Sequence, residues 1–422
     1  MIFFIYQFLI SIIIFFSPFI IIFRILKDKE DKYRFKEKFC FISKKRGTGK
    51  LIWFHGSSVG EILSAIPIIK KYDNDKSISR ILITSSTLSS SKILEKIEFK
   101  KTIHQFFPID QILFSKKFLD HWKPDVAIFL ESEIWPSMFR SIKKRGIYLI
   151  LLNARITKKS FQRWSIIKKF SYSTFSLIDK AYSQNSETNY FLKKLKVKKI
   201  TSIGNLKFIE HDSFETNQTD KKLFLQFRKY KTFVAASTHN TEELFAAKTH
   251  ILLKKKIKNI ITIIIPRHVH RVDQIISQIN ALGLNAISRR SNKKKLGNID
   301  IYIVDTFGES QKFYKFATTV FLGGSIIKRG GQNPLEPARF GAKILHGPNI
   351  DNFKDVYKYL NQLKISSSIN SPQQCVNSII FKKNMKKVKK MKYLGATILK
   401  KTLNELDTVS YTHLTLPTIL LV

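Results

Sequence analysis

Short runs of β-branched and other apolar residues recur along the chain, each ending at a Gly, Ser, Pro or acidic cluster and leading into a helical pattern. They occupy 51–55, 81–85, 126–130, 148–152, 233–236, 260–265, 301–304 and 319–322. Strands alternating with helix-length segments predict an α/β fold, with parallel sheets covered on both faces. Such sheets place ligands at the carboxyl ends of their strands, so chemistry is expected in the polar residues just past each run. Residues 210–220 are polar and aperiodic and fall mid-chain, which suits a linker. Two α/β domains facing each other across a cleft are therefore expected, with no internal repeat.

The first segment has a different pattern. Residues 2–23 are almost wholly apolar, interrupted by Gln7, Ser11, Ser17 and Pro18. About 20 apolar residues suffice to span a hydrocarbon core as a helix. No Lys or Arg precedes the segment, whereas Arg24, Lys27, Lys29, Lys32, Arg34, Lys36 and Lys38 follow it. That asymmetry places the bulk of the chain on the cytoplasmic side. A cleaved signal peptide is the competing reading, but the basic n-region and an Ala-x-Ala site are missing. A monotopic anchor lying against the membrane is a third. At the other end, the tail 409–422 (VSYTHLTLPTILLV) lacks Lys and Arg and resembles translated sequencing-adapter text. It is left out of the functional reading.

Composition then limits the classes. The 422 residues carry 74 Lys+Arg against 31 Asp+Glu, a formal charge of +43, with 44% hydrophobic and 13% aromatic residues. A disordered polycation would lack those core-forming residues. Such a charge attracts any polyanion: nucleic acid, anionic lipid or a phosphorylated substrate. The lysines are dispersed and accompanied by abundant Ile, Phe and Asn, which reads partly as drift towards AT-rich codons. Two cysteines, Cys40 and Cys375, build neither a disulfide framework nor a multi-thiolate zinc site.

Candidate chemistry follows the strands. Ser58-Val59-Gly60-Glu61 fits a capping box, in which Glu61 caps its own helix; the alternative is a general base at the mouth of the cleft. Glu131, Glu133, Trp135 and Pro136 follow another run, Asn153-Ala154-Arg155 another, and Gly204-Asn205-Leu206-Lys207 closes the first half. In the second half, Ser237-Thr238-His239, Pro266-Arg267-His268, a turn at Gly308-Glu309, and Gly323-Gly324-Ser325 each follow a strand. Arg267 offers a forked donor for phosphate or carboxylate. In GGQNPLEP, Asn333 suits an N-cap, Pro334 the first helical position and Glu336 the first turn. Helix starts after glycine-rich turns bind anions, and a carboxylate there can hold ribose hydroxyls. Ordinary capping explains any one of these motifs but explains the whole series poorly.

Taken in order, SSVGE, FPID, ESEIWP, NARI, GNLKF, ASTHNTEE, PRHVHR, DTFGE, GGS and GGQNPLEPARFGA resemble the Kdo transferases. Those enzymes attach 3-deoxy-D-manno-octulosonic acid (Kdo) to the lipid A precursor in Gram-negative bacteria. The resemblance covers about residues 48–353 and includes the anchor with its basic flank. It implies a GT-B glycosyltransferase with two Rossmann-like domains: anchor 1–25, acceptor-binding domain 26–209, CMP-Kdo-binding domain 210–408. It also implies an inverting transfer from CMP-Kdo to the lipid A precursor in lipopolysaccharide synthesis, without metal or cofactor, at the cytoplasmic face of the inner membrane and its anionic lipids.

By position, the family's catalytic base falls on Glu61 and its transition-state residues on Glu131 and Lys207. Its cytidylate contacts fall on Pro266, Arg267, Phe307, Gly308, Glu309, Asn333, Pro334, Leu335 and Glu336. The chain departs from the pattern at Ser137, where WPN usually has Asn, and at Cys40, where an RFG-like string has Gly. The turn after Thr84-Ser85-Ser86-Thr87 also lacks its usual glycine. Another GT-B enzyme using a different nucleotide sugar is one alternative. A basic, membrane-associated nucleic-acid-binding protein is another, although no DNA- or RNA-binding module is recognisable.

Overall fold

The computed structural model describes residues 1–210, 221–291, 296, 298–306 and 308–410. The expected linker beyond Glu210, Phe307, and the tail from 411 onward lie outside the described residues. The chain divides into two compact units, the first from residue 1 to the linker together with the stretch from Leu394 on, the second ending at Tyr393.

The first unit is built on seven parallel strands: β1 (Leu51–His55), β2 (Arg80–Ser85), β3 (Thr102–Phe106), β4 (Val126–Leu130), β5 (Tyr148–Ala154), β6 (Lys180–Ser183) and β7 (Ile200–Ser202). Their order is β3-β2-β1-β4-β5-β6-β7. Ile52 pairs with Ile81 on one side and Val126 on the other, so apolar rows run unbroken across the centre. Trp53 packs against Phe118 and Phe129 at ring separations of 4.9 and 5.0 Å, and all three are buried. Each such side chain contributes ~1.5–3 kcal/mol on burial. The strand order reverses direction between β1 and β4, which opens a crevice at their carboxyl ends.

The second unit has β8 (Lys231–Thr238), β9 (Ile260–Pro266), β10 (Ala286–Ser288), β11 (Ile301–Ile303), β12 (Thr319–Leu322), β13 (Lys343–His346) and β14 (Ser366–Ser368). These are parallel too, in the order β10-β11-β9-β8-β12-β13-β14, with the reversal between β8 and β12. Its core gathers Phe233, Ile264, Ile301, Phe321 and Leu345.

The boundary expected at 408 is not a single cut. The C-terminal helix Met385–Ser410 belongs to the second unit only up to Tyr393. Beyond that it packs in the first, where Lys180 bonds Glu405 at 2.7 Å and Lys71 and Tyr72 both reach Asp407. Gly395 permits this fit, since a Cβ there would lie 2.5 Å from the Phe208 carbonyl oxygen.

Candidate active site

In the first unit, β1 runs into Gly56-Ser57-Ser58 and the helix Val59–Asn74. Ser58 is the N-cap, and the capping box with Glu61 is present. The Glu61 carboxylate accepts from the Ser57 amide at 2.7 Å and the Ser58 amide at 3.4 Å. Gly56 lets the turn close, because a Cβ would sit 3.0 Å from Leu130 and 3.2 Å from Glu61. Burial pushes the Glu61 carboxyl up to about 7, with the negative charges of Glu133 and Glu131 adding to it and the Ser58 hydrogen bonds opposing. Capping and proton acceptance are thus compatible in one side chain: it is oriented by the amides and poised to titrate near neutrality.

Glu131 follows the last residue of β4 with φ of 51°, a left-handed conformation few non-glycine residues adopt. Its side chain, 6% exposed, meets the Lys207 ammonium at 2.7 Å. The lysine is held there by its local turn. The Asn205 side chain accepts from the Lys207 amide at 2.9 Å, and the buried Asn153 side chain accepts from the Leu206 amide at 3.0 Å. Asn153, itself at φ 55°, also reaches Glu131 at 3.5 Å. Glu61, Glu131 and Lys207, far apart in sequence, are therefore supplied by the helix start after β1 and the turns after β4 and β7, all at the carboxyl ends of one sheet.

Glu133 belongs to the same cluster, although the motif comparison assigns it no role. One of its carboxylate oxygens accepts from Trp135 Nε1 at 2.9 Å, lies 3.1 Å from His55 Nε2, and takes the Ser57 hydroxyl. Burial alone would raise this carboxyl, but the contacts with His55, Ser57 and Trp135 outweigh it and hold it below the usual carboxylate range. His55 Nδ1 lies 2.9 Å from the Thr84 hydroxyl, which also accepts from Trp53 Nε1 at 2.8 Å. A polar line therefore runs from the core to the site. In sequence, the acidic spacing of ESEIWP and its Trp135 were visible, but His55 and Ser57, the other two partners of Glu133, come from the end of β1 and the turn after it, some 76–78 residues earlier.

In the second unit, the residues expected to contact a nucleotide lie at or after the carboxyl ends of β9, β11 and β12. Pro266 ends β9, and the Arg267 amide bonds the Thr238 carbonyl at the end of β8 at 2.9 Å, leaving the Arg267 side chain exposed. Gly308 and Glu309 follow β11, with Gly308 at φ 79°. Glu309 is gripped by Arg289 at 2.5 and 3.0 Å, by Lys312 at 2.8 Å and by the Thr306 hydroxyl. Burial opposes ionisation there, but the Lys312, Thr306 and Arg289 contacts win and bring the carboxyl down to about 2. The helix after GGQN is short, Leu335–Arg339, and its N-cap is Pro334 rather than Asn333. Asn333 still satisfies the helix start by accepting from the Leu335 amide at 3.1 Å. Burial raises the Glu336 carboxyl, with Arg339 partly offsetting.

The turn Gly323-Gly324-Ser325 is filled from within. Glu242 accepts from the amides of His239, Gly324, Ser325 and Ile326 at 2.7–3.1 Å. A carboxylate of the chain occupies this anion nest, a role the sequence did not reveal.

Two parallel, doubly wound sheets, each with a reversal of strand order, define a GT-B-like α/β fold. UDP-GlcNAc 2-epimerase from Neisseria meningitidis bound to UDP-GlcNAc shares this fold, at TM-score 0.53 and 12% identity over 82% of this chain and 94% of that one. Residues 33–210 match the family described as 3-Deoxy-D-manno-octulosonic-acid transferase (kdotransferase). The 3-deoxy-D-manno-octulosonic acid transferase of Rickettsia bellii is 36% identical over 86% of this chain and 86% of its own length. That of Haemophilus influenzae is 26% identical over 78% of this chain and 79% of its own. The chain belongs to the 3-deoxy-D-manno-octulosonic acid transferase family of glycosyltransferases.

Proposed function

We propose that this chain is an inverting glycosyltransferase that moves Kdo from CMP-Kdo to a hydroxyl of the lipid A precursor. The first unit holds the acceptor and the base, and the second holds the donor. Glu61 takes the proton of the acceptor hydroxyl, whose oxygen attacks the anomeric carbon of Kdo. The bond from that carbon to the phosphate oxygen breaks, and CMP leaves with the electron pair. CMP is an adequate leaving group, so the reaction needs no general acid. The departing phosphate is met by the Arg267 guanidinium and nearby amides, with Glu336 directed to the ribose, and the reading includes no metal ion.

The observation that carries this reading is the Glu61 carboxyl: fixed by the Ser57 and Ser58 amides, raised to about 7 by burial, and set in one cluster with Glu133 and the Glu131–Lys207 pair. The apolar helix Ile2–Leu26 and its basic flank support attachment at the cytoplasmic face of a bacterial inner membrane. The test is incubation of the purified protein with CMP-Kdo and tetraacyl lipid A precursor, followed by mass spectrometry. A product heavier by one or more Kdo residues is expected. An unchanged lipid with CMP-Kdo, but a glycosylated one with a UDP-sugar, would replace the donor assignment.

A further inference from the structure

The helix Ile2–Leu26 is long and apolar enough to cross a bilayer, yet one of its stripes is covered along its length. Phe3, Gln7, Ile10, Ile14, Ser17 and Ile21 are part-buried or buried, spaced four and three residues apart, as on a helix lying along a surface. Near its start, the Tyr6 hydroxyl bonds Asp110 at 2.7 Å, and Gln7 donates to the Ser137 hydroxyl at 2.6 Å and accepts from the Ile112 amide at 3.0 Å. The Arg140 guanidinium stacks 3.8 Å from the Phe3 ring. Asp110 is itself fixed, accepting from the Ser137 and Met138 amides at 3.0 and 2.8 Å. Near its end, Arg24 bonds Glu30 at 3.1 Å; Lys38 bonds the same carboxylate at 2.6 Å, and its carbonyl accepts from the Ile109 amide beside Asp110.

Tyr6 and Arg24 are about 27 Å apart along the axis at ~1.5 Å per residue, nearly the ~30 Å hydrocarbon thickness. A spanning helix would put them at opposite faces of the bilayer, yet both are tied to one folded unit. The surface under the covered stripe includes Asp110, Ser137 and Arg140, groups that hydrocarbon excludes. The opposite stripe exposes Phe4, Phe8, Phe15, Phe19, Ile22 and Leu26. From Ile112, where Gln7 docks, the helix Ile112–Trp122 leads to Lys117 and His121. These line an open groove with Tyr33, Lys36, Phe41 and the Arg34–Glu37 ion pair, which leaves Lys36 and Lys117 as its cations, and Lys117 lies 5.3 Å from the Phe41 ring. Cationic and aromatic groups beside an apolar face match the headgroup region of an anionic leaflet.

We infer that the N-terminal helix does not cross the bilayer. It lies in the plane of one leaflet, docked lengthwise on the first unit, with its phenylalanine face in the lipid and the basic groove against anionic headgroups. This rests on the membrane attachment in the function proposed above, and it ties the loop carrying Glu131 and Glu133 to the leaflet through Ser137.

The test uses the full chain in bacterial membranes, where the two native cysteines are buried. In the paired variant Gln7→Cys with Ser137→Cys, a short bismaleimide should bridge the two introduced thiols in the membrane-bound protein, read as an intramolecular cross-link by mass spectrometry. In Ile2→Cys, a membrane-impermeant maleimide should label inverted vesicles, with the folded units outside, and not intact spheroplasts. Labelling in spheroplasts, or failure of the paired cysteines to link, overturns the inference. Recovery of a soluble dimer from lysed cells would also overturn it, with a second copy covering the apolar face. Kdo transfer in the same membranes is scored separately. Far-side labelling with transfer intact sinks only the in-plane helix, and a formed cross-link in membranes whose unmodified chain transfers no Kdo sinks only the transferase reading.

Discussion

The Lys207 ammonium lies 2.7 Å from Glu131 Oε1, with the two side chains 17% and 6% exposed, and the lysine arrives from the turn after β7 while the carboxylate comes just past β4. Removing one partner of such a pair leaves an uncompensated buried charge, at a cost of ~3–5 kcal/mol. Lys207→Ala should therefore lower both the melting temperature and kcat, whereas Glu131→Gln with Lys207→Ala should recover stability without activity. Thermal unfolding read beside single-turnover kinetics separates the two effects.

Glu61→Gln should keep the cap, since an amide oxygen still accepts from Ser57 and Ser58, so the melting temperature should stay close to wild type. Turnover should fall ~10²–10⁴-fold. Near-normal turnover in a folded variant would leave Glu61 as a cap alone.

The base must be ionised, so kcat/KM should rise with pH through about 7 and level off above. Glu133 is one of the charges that raise this carboxyl. Glu133→Gln should therefore move the acidic limb to lower pH, as a pH–rate profile would show. Stability should run the other way. The folded state holds the Glu61 proton more tightly than the unfolded chain, so this carboxyl's contribution is full below about 4.5 and is lost as pH rises to about 7.

Arg267→Ala should weaken CMP binding roughly 10–100-fold, the size of a lost charge-assisted hydrogen bond. Glu336→Ala should weaken it too, and calorimetric titration with CMP checks both. Unchanged affinity in the pair would remove this surface from donor binding.

Gly395→Ala places a Cβ 2.5 Å from the Phe208 carbonyl, next to Lys207. Overpacking of this kind costs ~1–3 kcal/mol, and the shifted helix should also lower kcat. Unchanged activity at reduced stability would show that the lysine turn tolerates the movement.

The eight strands legible in the sequence are the four central strands of each sheet: β2, β1, β4 and β5 in one, and β11, β9, β8 and β12 in the other. The outer ones, β3, β6 and β7 and then β10, β13 and β14, left no comparable signal. Central parallel strands are covered on both faces and must be continuously apolar. Strands such as Ser366–Ser368 at an edge are held by backbone pairing that their side chains do not encode. The site divides in the same way. Motif order pointed to Glu61, Glu131 and Lys207, but His55 and Ser57, which hold Glu133 beside its own motif's Trp135, come from a distant strand end, and Glu242 fills a turn 82 residues away in sequence.

By itself the sequence determined the α/β class, the apolar first helix, the capping box at Glu61 and the family, because periodicity, capping and motif order are local properties of the chain. Only the tertiary structure decided which of the many lysines meets a buried carboxylate, how burial and two neighbouring carboxylates raise Glu61, and that the last helix returns to the first unit. Those depend on dielectric surroundings and on contacts between distant segments, which exist only once the chain has closed around them.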